Sequence, residues 1–420
     1  MKVRVEALAG LCAVAMVALS AVFAAAAAQV SDNVVKLGVL GDESGPFSDS
    51  GGLGNVFAVE TAVADFGGTV LGKPIEVVHA DHQNKPDIAL AIARRWFEVD
   101  HVDTAVGLTL SPVALGVQKL ATDLKRTVLI TGASSTELTG KSCSPYGSHW
   151  LEDSYALTAG VIKVAAKQNR DPAGGKPDGK TEGKTWFFIT LDNSFGAAML
   201  NDGSLMVEQT GGKVIGVVRH PLGQSDLSSF LLEAAASKAD YIALANVGLD
   251  TTNAVKQAQE FGIGEGGQHL VTFTFFVTDI RAAGLQVAQN LMLPSGFYWD
   301  QNDATRAFSK RFLAKFDRMP TNVQGLSYAA TLHYLKAVQA AGTDDTAEVN
   351  RKMRDMPVDF FGTVGAIRPD GRVTYDITTY RVKTPAESKY PWDYLAAIDV
   401  VPGASAFRPL SESQCPLVVK

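Results

Sequence analysis

Val128-Leu129-Ile130-Thr131-Gly132-Ala133-Ser134-Ser135-Thr136-Glu137-Leu138-Thr139 passes from an apolar run, through a hydroxyl cluster, to a pair that can open a helix. Val128 to Thr131 has the pattern of a buried strand, and Gly132 breaks it. Ser134, Ser135 and Thr136 then stand where a helix would begin. A strand that delivers hydroxyls and free amides to a helix N-terminus favours carboxylates and phosphates, because unpaired N–H groups and the positive end of the helix dipole point at one place. The plainer alternative is an ordinary Ser/Thr cap.

The same unit recurs along the chain. Apolar runs near Val34–Leu40, Ile75–Ala80, Thr104–Gly107 and Thr127–Thr131 read as strands, and the amphipathic stretches Leu53–Phe66, Pro86–Val99 and Pro112–Leu124 read as helices between them. Pro86 and Pro112 each suit a first helical turn. A second series follows, with strands near Thr185–Leu191, Lys213–Arg219, Asp240–Ala245 and His269–Phe275 and helices near Ser194–Gln209, Asp226–Ser237 and Thr251–Phe261. The predicted class is α/β, with two doubly wound parallel-sheet lobes whose loops gather at the C-terminal strand ends, where open α/β sheets bind ligands.

Beyond these series lie a strand near Asn290–Tyr298, helices near Thr305–Phe316, Asn322–Ala341 and Thr346–Met356, and a hairpin of Thr363–Arg368 and Val373–Val382 turning at Pro369-Asp370-Gly371-Arg372. Sending the helices to the first lobe and the hairpin to the second gives three crossings and hence a hinge. The expected division is lobe one from 29–150 plus 276–356 and lobe two from 151–275 plus 357–400. A tail, 401–420, returns to the hinge and the first lobe.

Residues 1–28 read as a secretory leader: Lys2 and Arg4, an apolar run from Ala7 to Phe23, and small residues up to Ala28, with the mature chain starting near Gln29. Leu11 stands before Cys12 where a lipoprotein leader needs a small residue, so a lipid anchor is not expected. Removing the leader leaves 392 residues and, because it carries Lys2, Arg4 and Glu6, moves the net charge from −6 to −7. That acidic balance argues against a nucleic-acid partner, and no later run is long and apolar enough to span a bilayer. Only Cys143 and Cys415 remain after cleavage; an oxidising compartment makes them a candidate disulfide, with two buried free thiols as the alternative.

Several motifs carry less than they promise. Gly174 to Thr181 matches the phosphate-binding loop pattern but precedes the strand Trp186 to Leu191 instead of following one, so a solvated surface loop is expected. His79, Asp81 and His82 lack further ligands at metal-site spacing, so no metal is expected, and nothing calls for a cofactor. Neither Gly-x-Ser-x-Gly nor His-Glu-x-x-His occurs. What recurs instead is polar or aromatic loops past strand ends: Ser44 to Gly51, Leu108 to Pro112, Asp192 to Gly196, Asn246 to Asp250 and Phe273 to Phe276. Singly these are caps or core; together they place polar groups and aromatic faces around one small-molecule cleft.

The residues Leu37-Gly38-Val39 leading to Ser44-Gly45-Pro46, Gly107 with Ser111, and Ile130 to Ser135 before Glu137-Leu138-Thr139 resemble the periplasmic substrate-binding proteins of ABC importers in the branched-chain amino acid (Leu/Ile/Val-binding) class. Asp192 to Gly196, Tyr328-Ala329-Ala330 and the tail Ala406 to Leu410 before Cys415-Pro416-Leu417 extend the resemblance over nearly the whole mature chain. It implies the type I periplasmic binding protein fold, a three-segment hinge, no enzymatic activity, a periplasmic monomer, and delivery of a small ligand to ABC permease subunits. It also implies that Ser111, Ala133, Ser134 and Ser135 hold a ligand carboxylate and that Phe195 forms an aromatic wall, while Asn246 and the Phe273 to Phe276 region close from lobe two. With the cleft loops, the expected ligand set is Phe47, Ser50, Ser111, Ala133, Ser134, Ser135, Thr136, Tyr155, Phe195, Asn246, Asp250, Phe273, Thr274 and Phe275.

One departure stands out. Relatives that take α-amino acids present a lobe-two acid to the ammonium, and Phe273 to Thr278 contains none; Asp250 or Asp279 would have to substitute, or the ligand is an aromatic or other apolar acid without the amine. Two other functions fit the same residues: a binding protein that reports its ligand to a membrane receptor, and an exported hydrolase using Ser134 or Ser135 with His149 or His79.

Overall fold

The structure, a computed structural model, describes residues 30–170, 184–264 and 267–418. The leader, with its Cys12, and the Gly174 to Thr181 match lie outside the described residues. Within them the chain forms two α/β lobes. In the first, strand Val35–Gly41 lies between Lys73–Asp81 and Thr104–Gly107, followed outward by Thr127–Ile130 and Gly147–His149, all parallel. Val35, Leu37, Val39 and Leu40 are all buried, as a strand covered on both faces requires. Lys73–Asp81 sits next to the two-residue edge strand Thr69–Val70 and is only partly covered along its length. Helices Gly52–Phe66, Pro86–Glu98 and Ser111–Asp123 pack on the sheet.

The second lobe repeats the plan with strand Thr185–Leu191 between Lys213–His220 and Tyr241–Ala245, and His269–Thr272 outside. Helices Ser194–Gln209, Ser228–Ala236 and Leu249–Glu260 cover it. Beside His269–Thr272 runs Met292–Ser295, joined by a Thr272 Oγ1 to Met292 O bond of 2.9 Å, and antiparallel strands Ile377–Val382 and Leu395–Val401 complete that edge.

The structure revises the expected lobe division at two points. Strands Val358–Phe360, Thr363–Ile367 and Val373–Thr374 do not join the second lobe: Val358, Phe360, Ile367 and Val373 lie in one core with Leu37, Val39, Leu326 and Tyr334, and Arg372 bridges to His149 of the first sheet. The apolar face of this hairpin covers helices Asn322–Ala341 and Thr346–Asp355; only Ile377–Val382 continues into lobe two. Conversely, Val277, Ile280, Ala288, Leu293, Tyr298 and Trp299 belong to the second core, so the chain does not return to lobe one at 276; Phe297 and then Phe308 and Phe312 join the first core.

The crossings meet at one place. Gly296 is needed there, because a Cβ would stand 2.2 Å from Tyr375 Cε2. Its amide donates to Glu152 Oε1 at 2.5 Å, and Tyr375 donates its hydroxyl to the carbonyl of Trp150. After Val401 the tail returns to lobe one through Ala406 and Phe407, and Cys143 and Cys415 are joined as a disulfide with Cα atoms 5.6 Å apart. No helix among the described residues is long and apolar enough to cross a membrane.

Candidate functional site

Between the lobes lies a cleft of about 890 Å³ of empty space, part of it continuous with solvent. Its polar end is built by two neighbouring strand ends of lobe one. After Thr104–Gly107 the backbone takes three positive φ values, at Gly107 (101°), Leu108 (57°) and Leu110 (79°), before helix Ser111–Asp123 begins. Two leucines held in that region cost on the order of 1–3 kcal/mol each, a kind of strain that collects at ligand clamps. The distortion leaves the hydroxyls of Thr109 and Ser111 buried, 5% and 1% exposed, with no hydrogen-bond partner. After Thr127–Ile130 the chain makes a close approach at Gly132, where a Cβ would meet Thr109 Cα at 2.9 Å. The amides of Ala133 and Ser134 have no acceptor among the described residues, while Ser134 O accepts from Ser154 N at 2.7 Å. Thr109, Ser111, Ala133 and Ser134 all line the cleft, so two buried unpaired hydroxyls, two free amides and the start of helix Ser111–Asp123 border it together, the kinds of group that bind an anion.

Much of the remaining wall is aromatic. Phe47 comes from lobe one, Phe297 from a crossing, and Phe195, Phe273, Phe275 and Phe276 from lobe two. His269–Thr272 ends sooner than the apolar run suggests, so Phe273 to Phe276 leave the sheet and turn into the cleft. Behind them Thr274 donates to Asn246 O, Asn246 Nδ2 donates to His220 Nε2 at 2.7 Å, and His220 Nδ1 donates to Pro221 O at 2.9 Å.

Of the expected ligand set, Phe47, Ser50, Ser111, Ala133, Ser134, Phe195, Phe273, Thr274 and Phe275 line this cleft. The rest do not. Glu137-Leu138 opens only a single 3₁₀ turn, Thr136–Leu138, and the Ser135 hydroxyl accepts from Glu137 N at 3.3 Å, so it is a cap. Thr136 faces a second, polar cleft, where Asp202 accepts from Thr136 Oγ1 at 3.0 Å and from Ser154 Oγ at 2.5 Å and pairs with Arg408. Tyr155 lies under the Arg408 guanidinium, 4.9 Å from ring centroid to Cζ. Asn246 is buried behind Thr274, and Asp250 accepts from Gly223 N at 3.0 Å, its carboxyl raised by burial. Asp279 accepts from Phe276 N at 2.9 Å and is pushed up to about 7 by burial, but it does not line the cleft either.

The acid that does line the cleft is Glu152, which no motif in the sequence marks. It is fully buried and receives Gly296 N at 2.5 Å and Asn322 Nδ2 at 2.8 Å; burial raises its carboxyl. Thr321, Asn322 and Tyr298 carry no signal in the sequence either, whereas Thr109 lies in the expected cleft loop Leu108 to Pro112 without being singled out. The hydrolase pairing does not form: His149 Nε2 bonds Ala133 O at 2.6 Å, His79 Nδ1 bonds Glu43 at 2.8 Å, and neither reaches Ser134 or Ser135. Among the described residues no cluster of three His, Cys, Asp or Glu side chains could hold a metal.

The sequence profile described as "Periplasmic binding protein" matches residues 34–389. A periplasmic binding protein from Burkholderia mallei is 42% identical, superposes with a TM-score of 0.87, and the match covers 92% of this chain and 99% of that one. A branched chain amino acid ABC transporter periplasmic ligand-binding protein from Burkholderia xenovorans LB400 is 37% identical with a TM-score of 0.80, covering 92% and 100%. The Leu/Ile/Val-binding protein homolog 6 of Brucella abortus is 25% identical over 212 residues, so the match spans about half of each chain.

Proposed function

The chain belongs to the periplasmic binding protein family, in the branched-chain amino acid class, and from that membership we propose that it closes its lobes on a small carboxylate with an apolar body and hands it to an ABC permease. The fold and family are those of non-enzymatic solute-binding proteins, and the family implies a periplasmic location. In this reading the leader is cleaved near Ala28 and the mature chain works as a monomer.

The observation that carries the proposal is the polar end of the cleft. The buried hydroxyls of Thr109 and Ser111 lack partners, and leaving such groups unbonded costs about 1–3 kcal/mol each. A carboxylate satisfies them together with the amides of Ala133 and Ser134, while its apolar body meets the phenylalanine walls. Lobe one grips the anion first. Lobe two contributes Phe195, Phe273 and Phe275 only when the lobes close, so ligand binding favours the closed state by the energy of those contacts. Micromolar affinity, about 8 kcal/mol, exceeds the few kcal/mol that separate open from closed forms.

The test is calorimetric titration of ligand-stripped mature protein with apolar amino acids, aromatic acids and their uncharged amides. The proposal expects at least one carboxylate to bind at micromolar level and its amide to bind far more weakly. Equal binding of acid and amide, or no binding by any carboxylate, overturns it.

A further inference from the structure

The sequence leaves open what replaces the missing lobe-two acid, and the structure narrows the choice. Asp250 and Asp279 are both turned away and occupied by backbone amides. No Lys, Arg or His lines the cleft among the described residues, and Glu152 is the one ionisable carboxylate that does. Its oxygens accept from Gly296 N and Asn322 Nδ2, with its own backbone amide also close, which leaves lone-pair capacity on a group able to accept about four bonds. The neighbouring Arg372 lies 3.7 Å from Asp153 and stacks 4.6 Å from the Phe407 ring centroid; against the burial that raises the Glu152 carboxyl, its charge acts to lower it from a distance, but its terminal nitrogens make no hydrogen bond to it.

We infer that Glu152 is the specificity-determining residue of the cleft, the counter-charge for a ligand ammonium, supplied by the hinge instead of by lobe two. The inference rests on the carboxylate reading above and deepens it. Two carboxylates, the ligand's and that of buried Glu152, in a cleft lined by no cation among the described residues repel each other, and Arg372, shared with Asp153, offsets only part of that. A ligand that brings its own positive charge removes that conflict. A des-amino acid leaves it standing, unless Glu152 takes up a proton.

The location has a consequence that a lobe-two acid would not have. Glu152 bonds Gly296 and Asn322, which belong to a crossing and to the start of helix Asn322–Ala341. A ligand ammonium held there touches the joint on which the lobes turn, so the ligand's charge bears directly on closure.

The experiment compares affinities of wild type, Glu152→Gln and Glu152→Asp for matched pairs: phenylalanine against 3-phenylpropionate, and leucine against 4-methylpentanoate. Wild type is expected to prefer at least one amino acid over its des-amino partner by tenfold or more. Glu152→Gln is expected to cut the affinity for that amino acid by roughly 30-fold or more, the effect of truncating one partner of a buried charge pair, and so to collapse the ratio. Glu152→Asp, which keeps the charge, retains part of the preference. Wild type that binds the des-amino partners as well as the amino acids overturns the inference and leaves the carboxylate reading standing. Parallel losses for both members of a pair in Glu152→Gln also overturn it, reducing Glu152 to a hinge joint. Binding of neither member by wild type, with none of the other carboxylates bound, defeats the carboxylate reading itself.

Discussion

Ser111→Ala separates a ligand-holding hydroxyl from a structural one, because the two roles predict opposite signs. The Ser111 side chain is 1% exposed and its Oγ has no partner among the described protein groups, so it makes no intramolecular bond that holds the fold. Replacing it by a methyl group removes a buried unsatisfied oxygen, and the folded state keeps its stability or gains up to about 1 kcal/mol. Helix Ser111–Asp123 does not suffer, since Ser111 is its first residue and makes no side-chain cap. With a carboxylate bound, the same hydroxyl makes a charge-assisted bond worth about 1.5–3 kcal/mol, so its removal weakens affinity roughly 10- to 150-fold. Urea denaturation of stripped protein gives the first quantity, and calorimetric titration gives the second. An unchanged affinity with a lowered denaturation midpoint would refute the reasoning, because it would make Ser111 part of the scaffold.

Three further outcomes follow from other parts of the molecule. Reducing the Cys143–Cys415 bond, or replacing both cysteines by Ala, opens a loop with a sequence separation of 272 and is expected to lower stability by up to about 5 kcal/mol; identical denaturation curves with and without reductant would contradict this. Asp279 is raised from its ordinary 3.8 to about 7, so the folded state holds its proton more tightly than the unfolded chain does. Its contribution is therefore full below pH 3.8 and is lost as pH rises to about 7, by at most about 4 kcal/mol, and Asp279→Asn is expected to flatten that part of the stability profile. Asp202 joins lobe-two helix Ser194–Gln209 to Thr136 of lobe one and to Arg408 of the tail without lining the ligand cleft. Asp202→Asn should weaken closure and lower ligand affinity by about 3- to 30-fold, with a larger radius of gyration in X-ray scattering; unchanged affinity would show that this contact does not hold the lobes together.

The strands that form the two sheet centres were legible because a doubly covered parallel strand must be predominantly apolar, as Val35–Gly41 and Thr185–Leu191 are apart from Lys36, Thr185 and Thr190. Helices Ser194–Gln209 and Asn322–Ala341 were legible in full from their periodicity and boundaries. Gly147–His149 was not, since a three-residue edge strand of Gly, Ser and His has no hydrophobic signal. The hairpin around Pro369 was visible as a hairpin, but nothing in its alternation says which of two cores its apolar face will cover. The hydroxyl cluster was visible too, yet which of three adjacent side chains faces the cleft depends on one turn: Ser134 lines it, Ser135 caps the turn and Thr136 points past it to Asp202. Glu152 was hidden for a deeper reason. Its setting is made by residues 296 and 322, far away in sequence, and Leu151-Glu152-Asp153-Ser154 by itself looks like the approach to a helix.

The most direct measurement is a crystal structure of the mature protein with the tightest-binding carboxylate from the titrations. The predicted result places the ligand carboxylate within hydrogen-bond distance of the Ser111 hydroxyl and the amides of Ala133 and Ser134, with its apolar body between Phe47, Phe195 and Phe273. A carboxylate held by lobe two, or a ligand seated in the polar cleft beside Asp202 and Arg408, would contradict it.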